Sequence, residues 1–198
     1  SPSSPPRASL LLLADAAGRR CLRLAPAGTH PFAHWMDPVI PPGERYGNIV
    51  EELQQLARSL LIFGLHVHVA VPDPSSMIDL MNEARYFLPH LLALSTSSPF
   101  WMGRDTGLRS YRTTIFRRFP RTGVPDHFGS WGEYESYVQM LVALHGIDDA
   151  RKIWWDVRLK PSFGTREFRV LPVPTRPGAG AVGAGRPVPV CSRQWCFK

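Results

Sequence analysis

Two histidines separated by one residue stand in the run Phe63-Gly64-Leu65-His66-Val67-His68-Val69, where apolar and polar side chains alternate from Leu65 onward. This alternation predicts a strand, in which residues i and i+2 point to the same face. Both imidazoles then share one space, while the apolar side chains between them cover the core. Two imidazoles placed in this way can bind one metal ion, or one metal ion and one substrate. The alternative is a histidine pair without a ligand.

A carboxylate and a guanidinium alternate in a second predicted strand, residues 165–170, where Glu167 and Arg169 share a face. Such a pair suits a nucleotide site, because the carboxylate can hold Mg²⁺ and the arginine can hold phosphate through its fork of donors. The alternative is an ion pair, worth less than about 1 kcal/mol if it is exposed. Asp105, Thr106 and Arg112 lie in or just after a polar, glycine-containing segment, which is either a binding loop or an ordinary solvated connection.

The segments around these residues predict the elements that position them. Helical spacing predicts helices over residues 8–17 and 44–62 and after Pro74, and Ser130 with Glu133 predicts a capped helix start. Strands are predicted at residues 21–25, 65–71, 155–160 and 165–170. The last two strands are joined by a short turn and should be antiparallel, so the predicted class is α+β. The proline-rich termini, including residues 171–198, are predicted to be disordered.

Composition limits the classes of protein to which the chain can belong. A length of 198 residues with 44% hydrophobic content predicts one globular domain. The formal charge is +7, but the arginines are scattered, so we expect no nucleic-acid partner. An anionic substrate such as a nucleotide fits this charge equally well. The apolar runs are too short to cross a membrane, and the odd count of three cysteines favours a reducing cytoplasm.

A set of short stretches, taken together, identifies a family. In chain order they are residues 27–32, 44–46, 63–69, 89–90, 93–95, 97–99, 105–107 and 155–158, then Gly164, Thr165, Glu167 and Arg169. In these stretches the chain resembles the type 2 glutamate–cysteine ligases, a family of carboxylate–amine ligases related to glutamine synthetase. The resemblance implies a partial ligase domain at residues 27–170, between a poorly matching segment 1–26 and the tail 171–198.

The resemblance also implies a fold, a reaction and a site. The fold is an antiparallel sheet that forms part of a glutamine synthetase-like catalytic funnel, with helices packed outside. In the reaction, ATP phosphorylates the side-chain carboxylate of glutamate, and an amino acid or other amine then forms the amide. Mg²⁺ would be held by Glu167 and His66, and the predicted catalytic residues are Arg169 and Arg112. The substrate and nucleotide contacts are predicted to be His66, His68, Asp105, Thr106, Arg112 and Arg169. A homodimer is possible within this resemblance.

Two departures from the family pattern lower the expected activity. The family begins with a glutamate-rich strand that supplies metal ligands, and nothing before Ala27 resembles it. The family usually carries an aspartate soon after the Glu-x-Arg strand, where this chain has Leu171-Pro172-Val173-Pro174. We therefore expect a fragment with little or no activity, whose amine substrate stays open. The alternatives are a non-catalytic remnant or partner subunit, and a zinc-dependent hydrolase that uses the His-x-His strand.

Overall fold

A computed structural model describes residues 5–37, 44–71, 73, 76–161 and 164–175. The helices are α1 Pro5–Gly18, α2 Glu44–Leu53, α3 Gln55–Arg58, α4 Met77–Ser95, α5 Tyr111–Phe116 and α6 Trp131–Ala143, with a 3-10 turn at Ala150–Lys152. The strands are β1 Val67–Ala70, β2 Phe100–Trp101, β3 Arg104–Asp105, β4 Thr122–Gly123, β5 Trp154–Trp155, β6 Val157–Lys160 and β7 Thr165–Phe168. This mixture of helices with an antiparallel sheet confirms the α+β class.

The sheet that carries the predicted motifs has three strands in the order β1-β7-β6. Both neighbours of β7 run antiparallel to it, which confirms the pairing predicted from the short turn. The register places His68 on β1 and Arg158 on β6 opposite Glu167 on β7. Because residues directly opposite one another share a face of the sheet, the fold brings these three polar side chains together.

Helix α4 covers the other face of the sheet. Its buried residues Met77, Met81, Ala84 and Leu88 recur at steps of three and four, which puts them on one side of the helix. They pack with residues from all three strands and from α6 into the larger apolar cluster, which includes Val67, Phe128, Tyr134, Trp155, Val157 and Leu159. This cluster buries the apolar face of the sheet and leaves the polar face to the site.

A second apolar cluster supports the segment that leads to α5. It consists of Leu61, Ile62, Trp101, Ile115 and Phe116, with partly buried neighbours around it. Ile62 forms a bridge with Thr29, whose hydroxyl donates to the Phe100 carbonyl over 2.8 Å. The cluster therefore fixes α5, and with it Arg112, against the end of the sheet.

Several predicted elements differ from the structure. The strand predicted at residues 21–25 does not form, because the chain there is exposed and pairs with no neighbouring strand among the described residues. The helix predicted over residues 44–62 breaks at Gln54, whose φ of 46° is outside the helical region, and ends at Arg58. Helix α4 is continuous across Pro89, where the proline was expected to kink or split it. A cap was also expected at Ser76, but its hydroxyl makes no cap and donates to Asp73 instead. The predicted cap at Ser130 is confirmed.

Ordered residues occur in both terminal segments that were predicted to be disordered. Helix α1 begins at Pro5, within the N-terminal segment. Residues 1–4 lie outside the described residues. Leu171 and Val173 are buried, and Pro172 forms a bridge with Gly64, because these residues continue β7 along the edge of the core. The rest of the predicted tail, residues 176–198, lies outside the described residues. In the described part, no helix combines the length and apolar character needed to cross a membrane.

Candidate functional site

Glu167 is the centre of the polar face of the sheet. Its side chain is buried, and its Oε1 accepts from Arg169 at 2.9 Å and lies 3.0 Å from His66 Nδ1. Its Oε2 accepts from Arg158 Nε at 2.6 Å. Burial opposes ionisation, but the hydrogen bond from His66 and the charges of Arg169 and Arg158 outweigh it and hold the pKa of Glu167 well below its usual range. The carboxylate is therefore ionised and shared among several donors.

His66 and His68 lie on the same face, as the alternation predicted, but only His66 contacts Glu167 directly. His68 Nε2 is 4.0 Å from Glu167 Oε1, and its Nδ1 lies 3.1 Å from the Thr165 hydroxyl. Burial lowers the pKa of His66 from 6.5 to about 4, so its imidazole is neutral at pH 7. Because a carboxylate only accepts, the proton of this neutral ring belongs on Nδ1, which leaves Nε2 as a free acceptor.

Arg112 and Arg169 form a buried cationic pair beside the histidine. Their Cζ atoms lie 5.3 Å and 5.7 Å from the centroid of the same ring, that of Phe116. Burial, together with the charge of a neighbouring arginine, lowers the pKa of each guanidinium to about 10, so both stay charged at pH 7. Buried Asp156 lies close enough to offset part of this charge.

Both arginines keep a buried donor without an acceptor. Arg112 donates from Nη1 to the Val170 carbonyl at 3.2 Å, and Arg169 donates to Glu167. Among the described residues, neither Nε finds a hydrogen-bond partner. A buried unpaired donor costs about 1–3 kcal/mol, so an oxygen that reached these groups would relieve that cost. The arrangement suits a phosphate or carboxylate oxygen.

Gly64 leaves space for the side chains of Arg112 and His66, which both lie beside it. A Cβ built on Gly64 would lie 2.6 Å from Arg112 Nη2 and 3.2 Å from His66 Nε2. The guanidinium cannot move away freely, because it is held by the Val170 carbonyl and packs over Phe116. Glycine is thus required here for space, just before strand β1 begins at Val67.

Metal binding is the weakest part of the predicted site. Within the described residues, no group of three or more His, Cys, Asp or Glu side chains is arranged to hold a metal ion. Mg²⁺ prefers oxygen ligands, and both oxygens of Glu167 already accept from His66, Arg169 or Arg158. The described residues therefore do not form a magnesium site by themselves. They give no support to a zinc site either.

The predicted contacts Asp105, at the end of β3, and Thr106, in the loop that follows, make local hydrogen bonds. Asp105 Oδ1 accepts from the Gly107 amide at 2.9 Å, and the Thr106 hydroxyl donates to the Pro99 carbonyl at 2.8 Å. The structure does not bring either residue to Glu167. The loop is nevertheless tied to the site, because the Ser98 hydroxyl accepts from the Arg112 amide at 3.2 Å.

Arg158 and Phe116 complete the site, and neither was predicted as a functional residue. Arg158 donates to Glu167 and to the carbonyls of Arg151 and Ile153, so it holds the carboxylate in place. The alternation of residues 155–160 places Arg158 on the polar face. Its role follows only from the register of β6 and β7, which pairs Arg158 with Glu167. The sequence carried no comparable indication for Phe116.

Comparisons with known proteins agree with the predicted family. The model of "Glutamate-cysteine ligase family 2 (GCS2)" matches residues 6–184. A relative from Herpetosiphon aurantiacus, named "Putative glutamate--cysteine ligase 2", is 52% identical over 90% of this chain and 48% of its own length. Relatives of the same name from Roseiflexus castenholzii and Sorangium cellulosum are 57% and 55% identical, over 83% and 86% of this chain and 43% and 44% of their own lengths. The chain thus spans about half the length of the curated relatives that it matches.

Proposed function

The chain belongs to glutamate–cysteine ligase family 2, and from this we propose that it carries part of the catalytic site of an ATP-dependent carboxylate–amine ligase. In this proposal the polar face of the β1-β7-β6 sheet lines part of a glutamine synthetase-like funnel. The observation that carries the proposal is the buried pair Arg112 and Arg169, whose unpaired Nε donors lie beside neutral His66.

Charge is the first step of the argument. Arg112, Arg158 and Arg169 surround Glu167 and Asp156, so guanidinium groups outnumber carboxylates on this face. Buried charges are normally paired, and an unbalanced set favours an anionic ligand. The ligands of the proposed reaction, ATP and glutamate, both carry the phosphate or carboxylate oxygens that guanidinium groups hold well.

The reaction itself has two steps. The terminal phosphoryl group of ATP passes to the side-chain carboxylate of glutamate, which gives an acyl phosphate and ADP. The amine of a second substrate then attacks the acyl carbon, the carbon–nitrogen bond forms, and phosphate leaves. Arg112 and Arg169 would hold the oxygens that gain charge during transfer, since such electrostatic stabilisation dominates phosphoryl transfer.

His66 and Glu167 have separate roles in this proposal. His66 presents Nε2 as an acceptor close to Arg112, where it can orient a substrate N–H or O–H group. Mg²⁺ would accompany the nucleotide phosphates and neutralise their charge. For Glu167 to become its ligand, as the family resemblance implies, the carboxylate must first release one of its arginines.

Turnover and binding measurements test the proposal. The chain is incubated with ATP, Mg²⁺, glutamate and a panel of amines that begins with cysteine, and phosphate release and amide product are measured. We expect equal amounts of phosphate and amide, and a loss of both in Arg169→Met but not in the exposed control Arg104→Met. Absence of product with every amine, together with absence of calorimetric binding of ATP or glutamate, would contradict the proposal.

One second candidate is a non-catalytic partner subunit. The hydrogen bonding of Glu167 favours it, because both carboxylate oxygens already accept from neighbouring side chains. This candidate predicts no turnover by the chain alone and a stable complex with a full-length relative. Size-exclusion chromatography of the mixture, followed by the same phosphate assay, separates the two candidates.

A further inference from the structure

An arginine lies on the apolar face of the sheet, opposite the candidate ligase site. Arg166 is on the central strand β7, between Val69 of β1 and Leu159 of β6. Residues 166 and 168 point away from Glu167, toward helix α4, because side chains alternate along a strand. Only 7% of Arg166 is exposed, and its Nε has no hydrogen-bond partner among the described residues. A charged residue in this position requires an explanation, since apolar side chains normally fill it.

The guanidinium of Arg166 borders a groove between α4 and the sheet, here named the α4 groove. This groove has a volume of about 310 Å³, at the lower end of the range for small-molecule sites. Its wall is formed mainly by apolar side chains, including Val69, Leu80, Phe87 and Leu91. Phe87 is 54% exposed, so the groove opens to solvent along α4.

The groove contains one positive and one negative group. Buried Arg166 and exposed Glu83 both line the groove, and the Cζ of Arg166 lies 5.6 Å from the centroid of the Phe168 ring. The two charges attract each other, but no ion pair within 4 Å joins them in the described part of the chain. A ligand carboxylate would therefore meet a guanidinium that is paired with no carboxylate of the described residues, and a ligand ammonium would meet the carboxylate of Glu83.

We propose that the α4 groove binds an α-amino acid with an apolar side chain. The ligand carboxylate accepts from Arg166, the ligand ammonium faces Glu83, and the side chain packs on Leu80, Phe87 and Leu91. A plain carboxylate is a poorer match, because Glu83 would repel it without compensation. A plain amine is poorer still, because it leaves the buried donor of Arg166 unpaired. The site is separate from the polar face and does not depend on the proposed ligase activity.

Calorimetric titration with L-leucine tests this site, with 4-methylpentanoate and 3-methylbutylamine as probes that lack one charge each. We expect leucine to bind more tightly than either probe. Arg166→Met should weaken leucine binding about tenfold or more, as expected for a lost charge-assisted hydrogen bond. Glu83→Gln should weaken it about threefold, because its carboxylate is exposed and screened.

A filled groove provides an independent check that leaves both charges in place. Ala84 is buried and lines the groove, so Ala84→Leu should abolish leucine binding. Ala93→Leu, on an exposed position of the same helix, should not change it. Thermal unfolding of each variant verifies that it folds. If Arg166→Met does not fold, the comparison of Glu83→Gln with wild type still tests the site.

Three results would overturn the proposal. The first is no leucine binding by the wild-type chain, which would make Arg166 and Glu83 a long-range structural pair only. The second is equal affinity for leucine and 4-methylpentanoate, which would exclude a role for the ligand ammonium. The third is loss of leucine binding in Arg112→Met, which would place the ligand on the polar face instead. Because ATP is absent from these titrations, their outcome is independent of the ligase test.

Discussion

Replacing Glu167 by glutamine tests whether this residue is the centre of the polar face. The change keeps the shape of the side chain but removes the charge that Arg158 and Arg169 share at 2.6 and 2.9 Å. The carboxylate is almost completely buried, with 4% of the side chain exposed, so solvent screens these contacts little. Breaking a buried pair by removing one partner costs about 3–5 kcal/mol, and we expect Glu167→Gln to lower the free energy of unfolding by that amount.

Urea unfolding at pH 7, followed by circular dichroism, measures this loss. Glu135→Gln on the exposed side of α6 is the matched control and should stay within about 0.5 kcal/mol of wild type. A double-mutant cycle with Arg158→Met then isolates the pair, and its coupling energy should reach about 1–3 kcal/mol. A loss below about 1 kcal/mol in Glu167→Gln would refute the reasoning, because that is the range of exposed ion pairs.

Three further predictions concern residues around the same face. The pKa of His66 is about 4 in the folded chain and 6.5 when unfolded, so the unfolded state binds more protons between these values. Stability should therefore fall by about 3 kcal/mol from pH 6.5 to 4, measured by urea unfolding, and His66→Gln should reduce that slope. Gly64→Ala should cost about 1–3 kcal/mol by displacing Arg112, whereas Gly132→Ala, whose Cβ would have space in α6, should be neutral or stabilising. Ser130→Ala should cost about 1 kcal/mol through loss of the α6 cap, and Ser136→Ala, an exposed mid-helix control, should not.

The sequence predicted the parts of the fold that depend on local pattern. Alternation placed His66, His68, Glu167 and Arg169 on one face, because the strand period of two decides which face each residue takes. The cap at Ser130 was predicted for a similar reason, since a hydroxyl three residues before a glutamate satisfies the first amides of a helix. These features need no knowledge of distant parts of the chain.

Tertiary packing decided the features that the sequence analysis did not predict. Residues 21–25 alternate as a strand does, but no partner strand lies beside them among the residues that the structure describes. Alternation without a partner strand is not enough to form a strand. Leu171 and Val173 look like the start of a proline-rich tail, yet the core continues past β7 and buries them. Arg158 lacks a local indication of its role, which becomes visible only when the register pairs β6 with β7.

The packing of the polar face also explains why its charges fit an anion better than an isolated metal ion. Arg112 and Arg169 share the Phe116 ring, and a single carboxylate, Glu167, is divided among Arg158, Arg169 and His66. A cation brought to Glu167 would have to replace arginines that have no other carboxylate at hydrogen-bond distance in the described residues. An anion that reached the Nε donors of Arg112 and Arg169 would satisfy two buried groups. Negatively charged substrate should therefore bind first, and its oxygens would then allow Glu167 to exchange a guanidinium for a metal ion.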